Sequence, residues 1–369
     1  MKALKDIYYG PEFFRKLAGE LHSVYPRLKA ESFYHAAIDG LDNLELKERM
    51  VRTSQTCKAF LPKNYRKALD VLYALSENIK PDFSYIFIPD FIARYGLDEY
   101  DLSLAALKHF TRFESSEFAI RVFLQKDFNK TIKLMRQWSE DENLHVRRLA
   151  SEGSRPRLPW SFRLNKVIED PSLTLPILER LKADKEKYVQ KSVANHLNDI
   201  SKDNPEWMLA LMEKWNLQNG NTAWIIKRAS RSLIKESHPR ALALFGFTKR
   251  PKISLEQFRL DKRRVTIGGE LRFSFILNSR ARGTQKLVID YKIHYVKKSG
   301  GTRPKVFKLR EVDLPHGLSV NIDKKHLFRN FTTRKHYPGK HGVEIVINGQ
   351  SMLTRGFQLT AESAQALIY

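Results

Sequence analysis

A glutamate set among arginines is the first candidate for chemistry in this sequence. It lies in Arg147-Arg148-Leu149-Ala150-Ser151-Glu152-Gly153-Ser154-Arg155-Pro156-Arg157-Leu158-Pro159-Trp160. Arg148 and Glu152 are four residues apart, so a helix puts both on one face. Gly153 is placed to stop that helix, and Pro156 and Pro159 stiffen the loop beyond it. Two readings are open. In one, the stretch is a charged helix end with a paired glutamate. In the other, a carboxylate is held in a cationic, aromatic-walled groove, where it stabilises a positive reacting centre. A second acid stands upstream in Glu114-Ser115-Ser116-Glu117-Phe118-Ala119-Ile120-Arg121. Glu117 follows two serines at a predicted helix start, where capping and the helix dipole favour a carboxylate. Arg121 is spaced to pair with it on that helix.

The chain that must position these groups has 369 residues, enough for a sizeable core and two domains. Its formal net charge of +24 implies a polyanionic partner, nucleic acid or an acidic membrane surface. The amphipathic segments are too punctuated and mixed for membrane insertion, which favours nucleic acid. Cys57 is the single cysteine. That excludes an intrachain disulfide and a multi-cysteine zinc site, and it suits a reducing cytoplasm. The N-terminus lacks an apolar signal core and no stretch is long enough to span a bilayer, so a soluble cytoplasmic protein is expected.

From about residue 11 to 246 the pattern is helical. Phe13, Leu17, Leu21 and Val24 form the stripe of the first helix, and Leu102, Ala105, Ala106 and His109 that of a later one. Asp141-Glu142-Asn143-Leu144-His145-Val146-Arg147-Arg148 recurs loosely at Asp184-Lys185-Glu186-Lys187-Tyr188-Val189-Gln190-Lys191 and more weakly at Gly220-Asn221-Thr222-Ala223-Trp224-Ile225-Ile226-Lys227-Arg228. A spacing of about forty residues fits two-helix repeats of the HEAT kind, which stack into a solenoid. In aligned register Arg148, Lys191 and Arg228 share its concave lining, where cations grip a DNA backbone.

Past Thr248-Lys249-Arg250-Pro251 the pattern alternates, in 271–277, 287–296 and 343–347, with turns at Gly268-Gly269, Ser299-Gly300-Gly301 and Asn348-Gly349. Short strands so punctuated predict an all-β sandwich of immunoglobulin-like size. The expected architecture is therefore mainly α, a HEAT-like solenoid over 1–250 and a small sandwich over 251–369. Residues 255–369 carry 22 Lys and Arg against 9 Asp and Glu, a larger excess than the rest of the chain holds. Arg280 and Arg282, Lys297, Lys298, Arg303 and Lys305, and Arg334 with Lys335 are candidates to touch phosphate. Surface solubility is the plainer account of the same lysines.

Together, Ser116-Glu117-Phe118-Ala119-Ile120-Arg121, the stretch from Arg148 to Trp160, and Val193-Ala194-Asn195-His196-Leu197-Asn198-Asp199 resemble the bacterial DNA alkylation repair glycosylases of the AlkC type. The run from Tyr337 to Gly349 is similar to the sandwich domain that this type appends. The resemblance covers nearly the whole chain, in order. It implies a monofunctional glycosylase that removes cationic alkylated bases, 3-methylcytosine and 3-methyladenine, from double-stranded DNA. The implied protein acts as a monomer in the cytoplasm, at the nucleoid when bound to DNA.

The residue chemistry is consistent with that. A base methylated on a ring nitrogen is cationic and already a good leaving group, so expelling it leaves oxocarbenium character on the sugar. The enzyme then needs an anion near the anomeric carbon and a positioned water, with no metal or organic cofactor. Glu152 is the expected carboxylate, and Glu117 shares its role or holds the water. Trp160 packs on the lesion or the adjacent deoxyribose. Arg148, Arg155 and Arg157 grip flanking phosphates, with Lys191, Asn195 and Arg228 further along the repeats. Bland alternatives stand beside these. Trp160 after proline suits a buried hinge plug, Arg157 could pair with Glu152, and His196 reads as an inter-repeat hydrogen-bonding residue. A non-catalytic DNA-damage sensor and a repeat scaffold for protein partners are the competing functions.

Overall fold

Helix follows helix from Leu4 to Leu244, and strands take over at Ile253. The structure, a computed structural model, describes residues 3–330 and 335–361. Two compact units share the chain: Met1–Met208 with Trp215–Ala229, and Leu209–Lys214 with Ser230–Tyr369. The second unit thus takes in the short helices Arg231–Lys235 and Pro239–Leu244 as well as every strand.

A short helix, Leu4–Tyr8, precedes the one expected to come first, which runs from Pro11 to Val24 with proline in its first turn, where a missing N–H costs nothing. The longer helix buries Phe14, Leu17, Ala18 and Leu21. Phe14 rather than the expected Phe13 heads the stripe, because the helix is rotated to set Phe14 inward. Likewise the Tyr100–Phe110 helix buries Leu104, Leu107 and Phe110, while Leu102 and His109 are only partly covered and Ala105 is exposed. Cys57 is fully buried in the Leu46–Phe60 helix, and burial pushes its thiol pKa up. No helix among the described residues is long and apolar enough to cross a membrane.

The three sequence echoes open three helices that pack in succession, Leu144–Gly153, Lys187–Ile200 and Gly220–Ala229. Polar turns start all three: Asn143 accepts from the His145 N–H, Asp184 from that of Glu186, and Asn219 from those of Asn221 and Thr222. Their buried faces carry Val146, Leu149 and Ala150, then Val189, Val193 and Leu197, then Ile225, Ile226 and Ala229. Hydrogen bonds stitch the stack. His196 Nδ1 meets the Ser151 carbonyl at 3.0 Å, and Asn198 donates to that of Ala229 at 2.8 Å. His196 is therefore the inter-repeat residue expected.

Gly153 is the last residue of the Leu144–Gly153 helix and, against expectation, does not stop it by a left-handed φ; packing requires the glycine instead. A Cβ there would stand 2.5 Å from Ile120 Cγ2 and 3.2 Å from Met135 Cε, so only glycine lets the neighbouring helices, Ala119–Lys126 and Phe128–Trp138, come this close.

Among the described residues of the second unit, eight strands form two sheets: β1 (Ile253–Leu260), β2 (Arg264–Thr266), β3 (Glu270–Ser279), β4 (Gln285–Val296), β5 (Thr302–Leu314), β6 (Ser319–Leu327), β7 (Gly339–Ile347) and β8 (Gln350–Thr360). The orders are β1-β3-β6 and β2-β8-β7-β4-β5. All pairings are antiparallel except β2 with β8. Alternation sends Leu271, Phe273, Phe275 and Leu277 of β3 inward against Leu287, Ile289, Tyr291 and Ile293 of β4, which makes the sandwich core. Asn348 and Gly349, with φ of +45° and +81°, close the β7–β8 hairpin in the left-handed region that such a turn needs.

Candidate active site

Two segments bring the acids together. The Leu144–Gly153 helix presents Arg148 and Glu152 one turn apart, as their spacing predicts, with Arg148 Nη2 3.5 Å from Glu152 Oε1. The turn before the Ala119–Lys126 helix presents Glu117 to the same guanidinium. Arg148 Nη1 donates to Glu117 Oε2 and, at 2.6 Å, to Ser115 Oγ, which itself donates to Glu117 Oε2 at 2.7 Å. Glu117 therefore pairs with Arg148 and not with Arg121 four residues on.

The same oxygen, Glu152 Oε1, accepts from Arg155 Nη1 at 2.5 Å, and Arg155 Nε donates to Asp199 Oδ2 at 2.8 Å. Lys202 extends the row, its Nζ 2.9 Å from Asp199 Oδ1. The result is an alternating chain of charges, Glu117, Arg148, Glu152, Arg155, Asp199, Lys202. Burial opposes the charge on Arg148, but Glu117 and Glu152 outweigh it and its pKa is raised. Arg155 is raised in the same way by Glu152 and Asp199.

Arg121 serves the backbone. Fully buried, it donates to the carbonyls of Gly153 at 3.0 Å, Arg155 at 2.6 Å and Phe162. One side chain thus pins three points of the loop after Glu152. Burial and then the nearby Arg155 pull its pKa down to about 10, against the pull of Asp199, Glu117 and Glu152. At the loop's end Trp160 is 65% exposed, so it is not a buried plug. Its φ of +66° puts a bulky residue in the left-handed region, a strain of about 1–3 kcal/mol that the surrounding contacts must offset.

These groups line one cavity of about 340 Å³, walled by Phe83, Phe118, Pro159, Trp160 and Tyr188 and bearing Glu114, Glu117, Glu152, Arg148 and Arg155. Tyr188 lies under the Arg148 guanidinium, 4.9 Å from ring centroid to Cζ. Burial raises the Glu114 carboxyl above its ordinary pKa, and Glu117 adds to this against the lowering hydrogen bond from the Ser115 N–H. A carboxylate fixed between two guanidiniums beneath an exposed aromatic can oppose a positive charge that develops beside it.

Residues 105–233 match the family model described as DNA alkylation repair enzyme. Residues 254–361 match the one described as the C-terminal Ig-like domain of the uncharacterised protein YhaZ. The solved Pseudomonas fluorescens alkylpurine DNA glycosylase AlkC, bound to DNA containing an abasic site analog, is 47% identical with a TM-score of 0.95, over 98% of this chain and 100% of that one. The chain belongs to the AlkC family of DNA alkylation repair enzymes. Another relative of this AlkC-family chain, described as uncharacterized protein YhaZ of Bacillus subtilis (strain 168), is 40% identical over 360 residues, 97% of this chain and 100% of that one.

Within the AlkC-family chain the expected site residues fall into three sets. Glu117, Glu152 and Trp160 meet at one cavity. Arg148 and Arg155 differ from the expectation that they grip flanking phosphates. Both are largely buried and committed to carboxylates, which leaves them to orient the acids. Arg157 pairs with Asp203 through two hydrogen bonds, of 2.6 and 2.5 Å, and not with Glu152.

The outer cations form the third set. Lys191 and Arg228 are exposed and Asn195 is half-buried on its helix. Arg228 and Lys187 both lie over the Trp224 ring. In the sandwich, Arg280 and Arg282 are exposed between β3 and β4, with Arg280 Nη2 3.5 Å from Glu256. Lys297 and Lys298 are exposed in the β4–β5 turn, and Arg303 is already in β5, opposite Tyr295. Arg334 lies outside the described residues. Glu114 and Tyr188 had no signal of their own in the sequence beyond proximity to the motifs, and Arg121, spaced to pair with Glu117, binds the loop carbonyls instead.

Proposed function

We propose that this chain is a monofunctional DNA glycosylase that removes cationic alkylated bases, 3-methylcytosine and 3-methyladenine, from duplex DNA by hydrolysing the N-glycosidic bond. The observation that carries the reading is the charge of the cavity. Glu114, Glu117 and Glu152 face Arg148 and Arg155 there, one formal negative charge in excess inside a chain of net charge +24. The basic exterior suits phosphate, and the acidic cavity suits a positive base. The solved relative is named for alkylpurines. The pyrimidine lesion is added because methylation at N3 gives cytosine the same positive charge.

In the proposed reaction the bond from C1′ to the base breaks with its electron pair leaving on the base, which departs neutral. The positive charge passes to the sugar as an oxocarbenium centre. Glu152, held by Arg148 and Arg155, opposes that charge, and Glu117 shares this role or holds the water. Water adds to C1′ and loses a proton, which leaves an abasic site. Trp160 offers its ring face to the cationic base or the adjacent deoxyribose. The motif contains no lysine to form a Schiff base, so strand cleavage is not part of the reaction. Lys191 and Arg228, with the exposed basic turns of the sandwich, supply phosphate contacts.

The test is base release from duplex oligonucleotides carrying one 3-methyladenine or one 3-methylcytosine, with wild type, Glu152→Gln and Glu117→Gln. Release by wild type, lost in Glu152→Gln at retained DNA affinity, supports the reading. Binding without release from either lesion turns it into a damage sensor. Release at the wild-type rate by Glu152→Gln removes that carboxylate from the mechanism.

A further inference from the structure

We infer that Lys47 is a positioning residue for Trp160, holding the strained backbone of the tryptophan and so setting the aromatic wall of the acidic cavity. The inference rests on the reading of that cavity as the lesion site. Lys47 is in the first turn of the Leu46–Phe60 helix, where the positive end of the helix dipole disfavours a cation. Nor does the helix need it there. Glu45 and Glu48 form a reciprocal capping box, with the Glu45 N–H donating to Glu48 Oε2 at 2.7 Å. A lysine in this place is better explained by what it reaches.

It reaches the loop of the glutamate motif, 113 positions later. Lys47 Nζ donates to the Trp160 carbonyl oxygen at 2.5 Å. The same ammonium stands 5.7 Å from the Trp160 ring centroid and 5.7 Å from that of Phe118, within range of a cation–π attraction to both. One charged group therefore fixes the backbone of Trp160 and attracts its side chain, at a residue whose φ of +66° would otherwise relax.

Lys47 also lies on a defined side of the wall. A second cavity of about 360 Å³ is lined by Lys47, Tyr9, Met50, Pro89 and others, and it shares Phe83, Ile86, Ser115, Phe118 and Trp160 with the acidic one. Lys47 lines the second cavity and not the first. Phe118 and Trp160 thus form a partition, with Lys47, Arg94 and Asp90 behind it, one positive charge in excess, and three glutamates with Arg148 and Arg155 in front, one negative charge in excess. A positive base is drawn to the acidic side and repelled from the other, so the partition gives the lesion one place to sit. The tryptophan ring can do this only while the loop holds it upright.

The test compares wild type, Lys47→Met, Lys47→Arg, Trp160→Ala and the Lys47→Met/Trp160→Ala double variant. The readouts are single-turnover base release, DNA dissociation constant and thermal melting. Lys47→Met keeps the stem and removes the donor and charge. Its release rate is expected to fall about tenfold or more at unchanged DNA affinity. Lys47→Arg restores most of the rate, and Lys47→Met has no added effect once Trp160 is gone. Additive losses in the double variant, or a loss confined to DNA affinity, would overturn the inference. A second readout needs no base release. With 5-fluorotryptophan incorporated, the ¹⁹F resonance of Trp160, assigned as the one missing in Trp160→Ala, should shift or broaden in Lys47→Met. An unmoved resonance in a folded variant rejects the positioning role. Shifted fluorine in a protein that releases no base rejects the glycosylase reading alone.

Discussion

Arg148 bridges two glutamates that the chain keeps far apart, donating to Glu117, 31 positions earlier, with its other terminal nitrogen 3.5 Å from Glu152. The spacing of the two acids is therefore held by one guanidinium. Arg148→Ala leaves two largely buried carboxylates without the cation between them. A stability loss of about 3–5 kcal/mol is expected, read by denaturant unfolding, together with loss of base release. Arg148→Lys recovers part of the stability and little of the rate, because a point charge cannot reproduce a planar fork that reaches both acids.

Asp199 acts one step further out. It holds Arg155 by Nε at 2.8 Å and does not line the cavity. Asp199→Asn weakens that hold and lets Arg155 and Glu152 drift. Base release should fall by up to about 100-fold, as for displacements of an ångström at a reacting centre, with DNA affinity unchanged. A change in affinity instead would mean that Arg155 reaches the DNA.

Gly153→Ala tests the packing beside Glu152. Its Cβ would stand 2.5 Å from Ile120 Cγ2, so the helices must separate or Ile120 must leave its rotamer. A loss of about 1–3 kcal/mol in unfolding free energy is expected. A stabilised variant would contradict the close approach.

Two buried histidines should lower stability in mild acid, against buried Asp290, whose carboxyl is raised to about 6 by burial and which favours the folded state as it protonates. In the sandwich His326 bridges the Tyr291 and Tyr295 hydroxyls, and burial, then His336 and Lys324, lower its pKa to about 4. Burial, then Arg155, takes His196 to about 3 against the Ser151 carbonyl. Unfolded histidine titrates near pH 6.5, so below that pH the unfolded chain binds protons that the folded one refuses. The contribution of each group is complete above pH 6.5 and is lost as pH falls towards 4 for His326 and 3 for His196. For His326 it amounts to ~3 kcal/mol. Urea unfolding of an Asp290→Asn variant at pH 7.5, 6 and 5 isolates the histidine slope, and a flat profile there would refute it.

The helical and sandwich halves and the hairpin at Asn348-Gly349 were legible in the sequence, whereas the convergence of Glu117 with Glu152 was implied by the family resemblance alone. Periodicity and turn chemistry act over a few residues, and the halves and the hairpin depend on little else. The fate of the arginines was not legible. Arg155 and Arg157 look alike in the motif, yet the first is buried against Asp199 and the second pairs with Asp203, partners more than forty residues away. The exchange of Phe13 for Phe14 on the Pro11–Val24 helix has the same origin, since both residues are apolar and only tertiary packing chooses between them. Tyr188 and Lys47 escaped notice because each reaches the site from a distant segment.

DNA affinity should depend steeply on salt, and the outer cations should share that dependence. Removing one cation from a phosphate lowers the slope of log affinity against log salt by about 0.9. Lys191→Ala, Arg228→Ala and Lys297→Ala/Lys298→Ala are expected to flatten it while leaving single-turnover base release at saturation intact. An unchanged slope for any of them removes that residue from the DNA contact.

The sandwich carries two of its basic turns, around Arg282 and around Lys297, at opposite ends of β4. A strand of 12 residues places them roughly 37 Å apart, several Debye lengths at about 0.15 M salt. Neutralising one end is therefore not felt at the other. That span is also close to the rise of one turn of B-form DNA, about 34–36 Å. A duplex laid along β4 would bring the same face of its helix past both ends.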